Sequence, residues 1–193
     1  MKMHSAAWNL SFTVLLPSMA LLLAVSAGWL DWRSRRIPNW LTVPALGGGL
    51  VANTVAWGWL GTKAALEGAG LGLALLLPFV LLRGLGAGDW KLMGALGAWV
   101  GPSRLVVVLL GTVFIAGGMA IFQMIRYGRV RETLKHVVVL FGILATFGVW
   151  GQRQNLTLDN PALMKLPFGV AAAASTVLFF GTLSALTILH SMR

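Results

Sequence analysis

The sequence predicts an all-α integral membrane protein of about six transmembrane helices with its N-terminus outside. Of the 193 residues, 58% are hydrophobic and only 10% are charged, and the mean hydropathy is +0.82. Soluble proteins balance roughly half apolar residues against about a quarter charged ones. The apolar residues also form runs of the ~20 residues that cross a bilayer. We expect residues 1–193 to form a single polytopic membrane domain.

The apolar runs place the predicted helices in order along the chain. The predicted spans lie near residues 8–30, 41–60, 64–82, 89–100, 105–125 and 168–189. The fourth and fifth apolar runs overlap around Gly101-Pro102, where we place a turn. The fourth helix is then short for a full crossing. Residues 137–150 are apolar but span only about 14 positions, a length typical of re-entrant or interfacial segments. We therefore expect that segment not to cross.

The distribution of basic residues predicts the orientation. Arg33, Arg35 and Arg36 follow the first apolar run, whereas only Lys2 precedes it, so the positive-inside tendency places Asp31 at the cytoplasmic end. Val25-Ser26-Ala27 resembles a signal-peptide cleavage site, but the run is long for a signal sequence and the charge balance opposes that orientation. We expect the run to be a retained helix.

Composition also limits the partners and cofactors. The net charge is +10, but the 15 Lys and Arg residues lie in short stretches between apolar runs, which favours anionic membrane lipids as partners over nucleic acid. The absence of cysteine excludes disulfides and thiolate metal sites. The three histidines lack metal-ligand spacing: His4, His136 and His190. We expect no metal and no organic cofactor.

Two of the five acidic residues lie at the edges of apolar runs, where a carboxylate is costly without a partner or a purpose. They are Asp31 and Asp89. Two predicted crossings separate them, so both should lie on the same side of the membrane. Two neighbouring carboxyl groups share one proton. The ionised one can then take a proton from water while the other donates a hydrogen bond to a scissile carbonyl. Which Asp begins with the proton stays open.

The same residues have a simpler interpretation as interfacial and capping groups. Tryptophan and basic residues are common at membrane interfaces, and Asp is a good helix cap. However, Asp89 closes Gly84-Leu85-Gly86-Ala87-Gly88-Asp89, whose glycines leave the backbone unobstructed for an extended substrate strand. Asp31 precedes Ile37-Pro38-Asn39, which should end one helix and start the next.

Three stretches resemble the motifs of prepilin peptidases. They are Asp31 to Asn39, with Ile-Pro-Asn after the Asp; Gly86-Ala87-Gly88-Asp89-Trp90-Lys91, a Gly-x-Gly-Asp motif with a following Lys; and Lys165-Leu166-Pro167-Phe168-Gly169, similar to the entry to the family's last helix. This resemblance implies an aspartyl endopeptidase of the bacterial inner membrane, which removes the short basic leader of type IV prepilin-like subunits at the cytoplasmic face. The resemblance also implies that Asp31 and Asp89 are the catalytic pair. Three further residues match positions of the family's motif, and we expect them to bind substrate: Gly86, Gly88 and Lys91.

The chain lacks the four-cysteine insertion of the long bifunctional members, so the resemblance implies peptidase activity without N-methyl transfer. It is most similar to the short branch that serves tight-adherence (Flp-type) pili. The expected substrate is the apolar helix of a prepilin or pseudopilin, docking laterally among the enzyme's helices. The basic run from Arg126 to Lys135 is interpreted as a lipid-facing anchor, with contact to the pilus assembly machinery as the alternative.

Two rival functions differ from this prediction. Presenilin-like intramembrane proteases share the Gly-x-Gly-Asp loop but pair it with Tyr-Asp, whereas the one tyrosine here, Tyr127, precedes Gly128. A small proton- or cation-linked transporter would need acids near mid-helix depth, and none is evident. Glu67 is predicted on the far side of the membrane. Glu132 and Asp159 are interpreted as solvated loop residues, with contact to the basic leader of the substrate as the alternative.

Overall fold

A computed structural model describes residues 2–81, 85–126 and 167–191, and its elements in these ranges are all α-helices. They are α1 (Lys2–Ser34), α2 (Asn39–Leu81), α3 (Ala87–Val100), α4 (Pro102–Arg126) and α5 (Phe168–Ser191). Within the described ranges, three stretches are long and apolar enough to cross a membrane: Phe12–Ser34, Asn39–Leu81 and Pro102–Gln123. Phe168–Leu183 is a shorter apolar helix. The all-α prediction is confirmed, whereas six spans and an outside N-terminus stay predictions. Residues 137–150 lie outside the described ranges.

Helix α2 is a hairpin of two helical arms. A straight helix of its 43 residues would be about 65 Å long, roughly twice the thickness of the hydrocarbon core. It breaks at Gly58, whose φ of 60° and ψ of −139° suit a residue without a side chain. The hydroxyls of Thr54 and Thr62 then lie 2.8 Å apart. The chain therefore reverses between residues 39–57 and 59–81, close to the predicted spans 41–60 and 64–82.

Helix α3 packs between α1 and both arms of α2, and glycines set the distances. A Cβ on Gly49 would lie 3.0 Å from Ala98, and one on Gly72 would lie 2.6 Å from the Met93 carbonyl oxygen. Gly68 and Gly97 face each other through their backbones. Small residues allow such close approach where lipid gives no hydrophobic drive for helix association. The tight packing predicted from the glycine content is present here.

The far end of α3 is closed by a side chain from α2. The last carbonyls of a helix have no partner inside it, and Asn53 Nδ2 donates to the Ala98 carbonyl oxygen at 2.9 Å. Gly101, with a φ of 78°, ends α3, and Pro102 begins α4, where proline's missing N–H costs nothing. The turn predicted at Gly101-Pro102 is confirmed.

Helix α5 lies against α1 and α4. A Cβ on Gly28 of α1 would lie 2.7 Å from the Ala173 side chain, and Ser175 Oγ donates to the Val108 carbonyl oxygen of α4 at 2.8 Å. Ala27, in the stretch that resembles a cleavage site, is fully buried inside α1. The end of α1 and the starts of α2, α3 and α5 meet at one end of the bundle.

Candidate active site

Asp31 lies in the last turn of α1, just before the chain changes direction. The Arg35 N–H donates to the Asp31 carbonyl oxygen at 2.8 Å, and Arg35 has a φ of 53°. A residue in this left-handed conformation ends a helix and satisfies one of its last carbonyls. Helix α2 begins four residues later at Asn39, directly after Pro38. The predicted helix end and start are therefore confirmed.

The Asp31 carboxylate is held by the N-terminus of α5. Only 5% of the residue is exposed. The Gly169 N–H donates to Oδ2 at 2.8 Å. The Val170 N–H, which donates to the Pro167 carbonyl oxygen at 3.2 Å, lies near the carboxylate and also favours its charge. The first N–H groups of a helix lack partners inside it and favour a negative charge. Burial is the largest influence on the Asp31 carboxylate and disfavours its charge, whereas the positive charge of Arg35 acts in the same direction as the N–H groups.

Asp89 lies in the first turn of α3, which is not among the helices long enough to span a membrane. Gly86 is the N-cap residue, and its N–H bonds to the Asp89 carboxyl, as the third helical residue does in a capping box. Burial raises the pKa of Asp89, the Asp31 charge raises it further, and the Gly86 N–H opposes both, giving a pKa of about 7. The two carboxyl groups therefore lie close enough to interact.

Buried Ile37 joins the two halves of the site. A Cβ on Gly88 would lie 2.8 Å from the Ile37 carbonyl oxygen and 3.1 Å from its Cβ, and one on Gly169 would lie 3.0 Å from its Cδ1. The first turns of α3 and α5 thus both close onto the link between α1 and α2. This packing brings Asp31 and Asp89 to the same end of the bundle.

The rim of the site is held by two longer side chains. Lys91 Nζ donates to Asn39 Oδ1 at 3.0 Å, at an exposed position. Trp90 Nε1 donates to the Leu73 carbonyl oxygen at 2.7 Å and holds α3 against the second arm of α2. The stretch that begins with Asp31 and the stretch around Asp89 are therefore joined by a direct side-chain contact.

All five residues singled out from the sequence lie at this end of the bundle: Asp31, Gly86, Gly88, Asp89 and Lys91. Gly88 is covered by Ile37, whereas Gly86 is exposed, so the backbone open to a substrate lies at Gly86. The catalytic and substrate-binding roles stay predictions. Sequence reasoning gave no role to Ile37 or Gly169, although Pro167-Phe168-Gly169 marks the start of a helix.

Glu67, the third acidic residue in the described ranges, lies away from Asp31 and Asp89. Glu67 is exposed and pairs with Lys63 at 3.8 Å, next to Gly68, which packs against the far part of α3. Over the described ranges, there is no group of three or more His, Asp or Glu side chains that could hold a metal ion.

An apolar groove of about 670 Å³ runs between α1 and α5 and reaches the residues that flank Asp31. Gly28 and Trp32 line it on one side, and Val170 and Ala174 on the other. Trp32 is 67% exposed. The remaining lining residues are all apolar: Val25, Trp29, Ala173, Val177 and Leu178.

Residues 16–121 match the model of the type IV leader peptidase family, which is more than half of the chain and includes both Asp residues. The chain belongs to this family. The resemblance seen in the motifs around Asp31 and Asp89 is thereby confirmed.

Several relatives carry the name prepilin leader peptidase/N-methyltransferase. The chain is 35% identical to one from Burkholderia pseudomallei over 173 residues, which cover 84% of this chain and 45% of that relative. It is 31% identical to one from Legionella pneumophila over 157 residues, covering 76% and 54% respectively. The chain thus spans about half the length of these family members. No solved structure matches it.

Proposed function

We propose that the chain is a membrane aspartyl endopeptidase that removes the short basic leader of type IV prepilin-like subunits. One observation carries the proposal: Asp31 and Asp89, from different helices, meet at one end of the bundle, where burial and the charge of Asp31 raise the pKa of Asp89. Two carboxyl groups that hold one proton between them supply both the base and the acid for peptide hydrolysis. Membership of the leader peptidase family points to the same chemistry.

The reaction needs one ionised and one protonated carboxyl group. The ionised group takes a proton from water as the water oxygen attacks the scissile carbonyl carbon, while the protonated group donates a hydrogen bond to the carbonyl oxygen. When the tetrahedral intermediate collapses, the C–N bond breaks and the proton taken from water passes to the leaving nitrogen. The products are a new carboxyl end and a new amine.

We also propose that the site faces the cytoplasm of the bacterial inner membrane. Arg33, Arg35 and Arg36 follow directly on Asp31, and cytoplasmic ends carry an excess of basic residues. Lys63 and Arg104 belong to the opposite end, since they lie near the α2 hairpin turn and the start of α4. Thiol labelling of single cysteines introduced at Arg36 and Lys63 in intact cells tests this. An Arg36 site open to the outside would overturn it.

The groove between α1 and α5 supports lateral entry of the substrate. A prepilin carries its cleavage site next to an apolar helix, and the groove is apolar along its length and ends beside Asp31. A helix lying there would be covered by protein on one side and by lipid on the other. Its peptide bond at the membrane surface would then reach the carboxyl pair.

We further propose a Flp-type prepilin substrate and peptidase activity without N-methyl transfer. The 193 residues contain no cysteine, whereas the resemblance links methyl transfer to a four-cysteine insertion. Incubation with prepilin and labelled S-adenosylmethionine should give cleaved but unmethylated product. Methyl incorporation would refute this part while leaving the peptidase proposal intact, and a parallel assay with type IV and Flp prepilins identifies the substrate class.

The central test is cleavage of a co-expressed prepilin in membranes by Asp31→Asn and Asp89→Asn. Each variant keeps the shape of the carboxyl group but cannot cycle the proton, and general acid–base catalysis contributes about 10²–10⁴-fold. We expect a loss of about 1000-fold or more with normal expression. Glu67→Gln is the matched control, because Glu67 is an exposed acid paired with Lys63. Near-normal cleavage by either Asp variant would rule out the mechanism.

The same purified chain separates the peptidase from the rival transporter. Vesicles that pass protons or cations through the wild-type chain, while a prepilin peptide stays intact, would favour transport. Prepilin cleavage by the chain without ion flux would exclude it.

A further inference from the structure

The two carboxyl groups have unequal hydrogen-bonding environments. Asp31 accepts the Gly169 N–H at the start of α5 and lies near the Val170 N–H and the positive charge of Arg35. Asp89 accepts the N–H of Gly86 and faces the negative charge of Asp31. Burial disfavours a charge on both carboxyl groups. The α5 N–H groups and Arg35 offset this at Asp31. At Asp89 the negative charge of Asp31 adds to the effect of burial, and only the Gly86 N–H opposes it.

We propose that the N-terminus of α5 divides the catalytic roles, with Gly169 as a positioning residue that keeps Asp31 as the carboxylate and leaves the shared proton on Asp89. This inference rests on the proposed peptidase function. Asp31 is then the base that takes a proton from water, and Asp89 is the acid that donates to the scissile carbonyl oxygen. As the intermediate collapses, Asp31 gives its proton to the leaving nitrogen, and Asp89 recovers its own from the intermediate's hydroxyl.

The hydrogen-bond geometry supports this division. Gly169 N lies 2.8 Å from Asp31 Oδ2, a distance typical of a charge-assisted bond to a carboxylate. The α5 helix has 24 residues, so its N-terminus carries the partial positive charge of a full helix. A protonated carboxyl group would form a weaker hydrogen bond with this donor. The raised pKa of Asp89 agrees with the proton residing on that side.

The packing explains why residue 169 is a glycine. A Cβ there would lie 2.9 Å from Asp31 Cβ, 3.1 Å from Asp31 Oδ2 and 3.0 Å from Ile37 Cδ1. Two of these three atoms belong to the Asp31 side chain itself. Even an alanine would therefore push the carboxylate away from the α5 amides or push α5 away from α1.

The proton position can be measured without any cleavage assay. Dicyclohexylcarbodiimide reacts with protonated carboxyl groups, so the full-length wild-type chain in lipid vesicles is treated at about pH 6, below the pKa of about 7 at Asp89. The labelled peptides are then quantified by mass spectrometry. We expect the label mainly on Asp89. Preferential labelling of Asp31 would overturn the proposal even if prepilin cleavage is confirmed.

Gly169→Ala tests the positioning role, with Gly181→Ala as the matched control. Gly181 is on the same helix, and a Cβ there would meet no described atom within 4 Å. We expect Gly169→Ala to lower kcat with little change in KM, to move the acidic limb of the pH–rate profile to higher pH, and to shift carbodiimide label toward Asp31. Equal behaviour of the two variants would overturn the inference.

A further variant covers the case in which Gly169→Ala does not fold. Arg35→Gln removes the charge that assists Asp31 without adding bulk, and it should move the acidic limb in the same direction by a smaller amount. If the acidic limb of the Arg35→Gln pH–rate profile does not move and carbodiimide labels Asp31 in the wild type, the assignment of the shared proton to Asp89 is refuted. If the wild type does not cleave prepilin at all, the proposed function fails, while the labelling result still reports which carboxyl group holds the proton.

Discussion

Replacing Gly88 by alanine gives a sharp test of how the site is assembled. The new Cβ would lie 2.8 Å from the Ile37 carbonyl oxygen, whereas ordinary contacts begin at 3.4 Å. Because the closest obstacle is backbone, a rotamer change cannot relieve the contact. The first turn of α3 must therefore move by about 0.6 Å relative to the link between α1 and α2, and Asp89 is the next residue.

The size of the effect follows from this displacement. A misplacement of about 1 Å in a catalytic group costs on the order of 100-fold. Scaled logarithmically, 0.6 Å corresponds to a loss of about 15-fold in kcat. The free energy of unfolding should change little. Overpacking costs about 1–3 kcal/mol, but alanine in place of glycine inside a helix stabilises by about 0.5–1 kcal/mol and offsets part of that cost.

The assay compares kcat for a prepilin peptide in vesicles and Tm for Gly88→Ala and Gly70→Ala. Gly70 is an exposed helical glycine of α2 where a Cβ would meet no described atom within 4 Å. The control should therefore keep wild-type kcat and gain slightly in Tm. Wild-type kcat in Gly88→Ala would show that the contact with Ile37 does not position Asp89. An equal loss in both variants would refute the steric explanation.

Four further predictions concern pH and substrate entry. Since the pKa of Asp89 is raised to about 7, kcat/KM should fall as pH rises through about 7 and the acid loses its proton; a flat profile from about pH 6 to pH 9 would contradict this. The same raised pKa means that the contribution of Asp89 to folding stability is present at low pH and is lost as pH rises from about 4 through about 7. In Asp31→Asn the pKa of Asp89 should fall, measured by carbodiimide labelling against pH. Ala174→Phe should fill the groove between α1 and α5 and raise KM more than it lowers kcat. The control Val113→Phe, on the exposed face of α4, should change neither KM nor kcat. An unchanged KM in Ala174→Phe would exclude substrate entry through the groove.

Local sequence properties determined the fold class and several helix ends. Hydropathy is a property of short windows, so the apolar runs predicted an all-α membrane protein directly. Glycine and proline act on their own backbone, so the turn at Gly101-Pro102 and the helix start after Pro38 were also predictable. The common location of Asp31 and Asp89 followed from counting the two crossings between them.

Only the tertiary structure decided how the two carboxyl groups differ. The donor to Asp31 is Gly169, a residue 138 positions away in the chain, and no local pattern states which helix N-terminus will meet which side chain. The same holds for Ile37, whose contacts with Gly88 and Gly169 depend on three helices closing together. Sequence therefore placed two acids at one end of a bundle, whereas packing determined that the N-terminus of α5 meets Asp31.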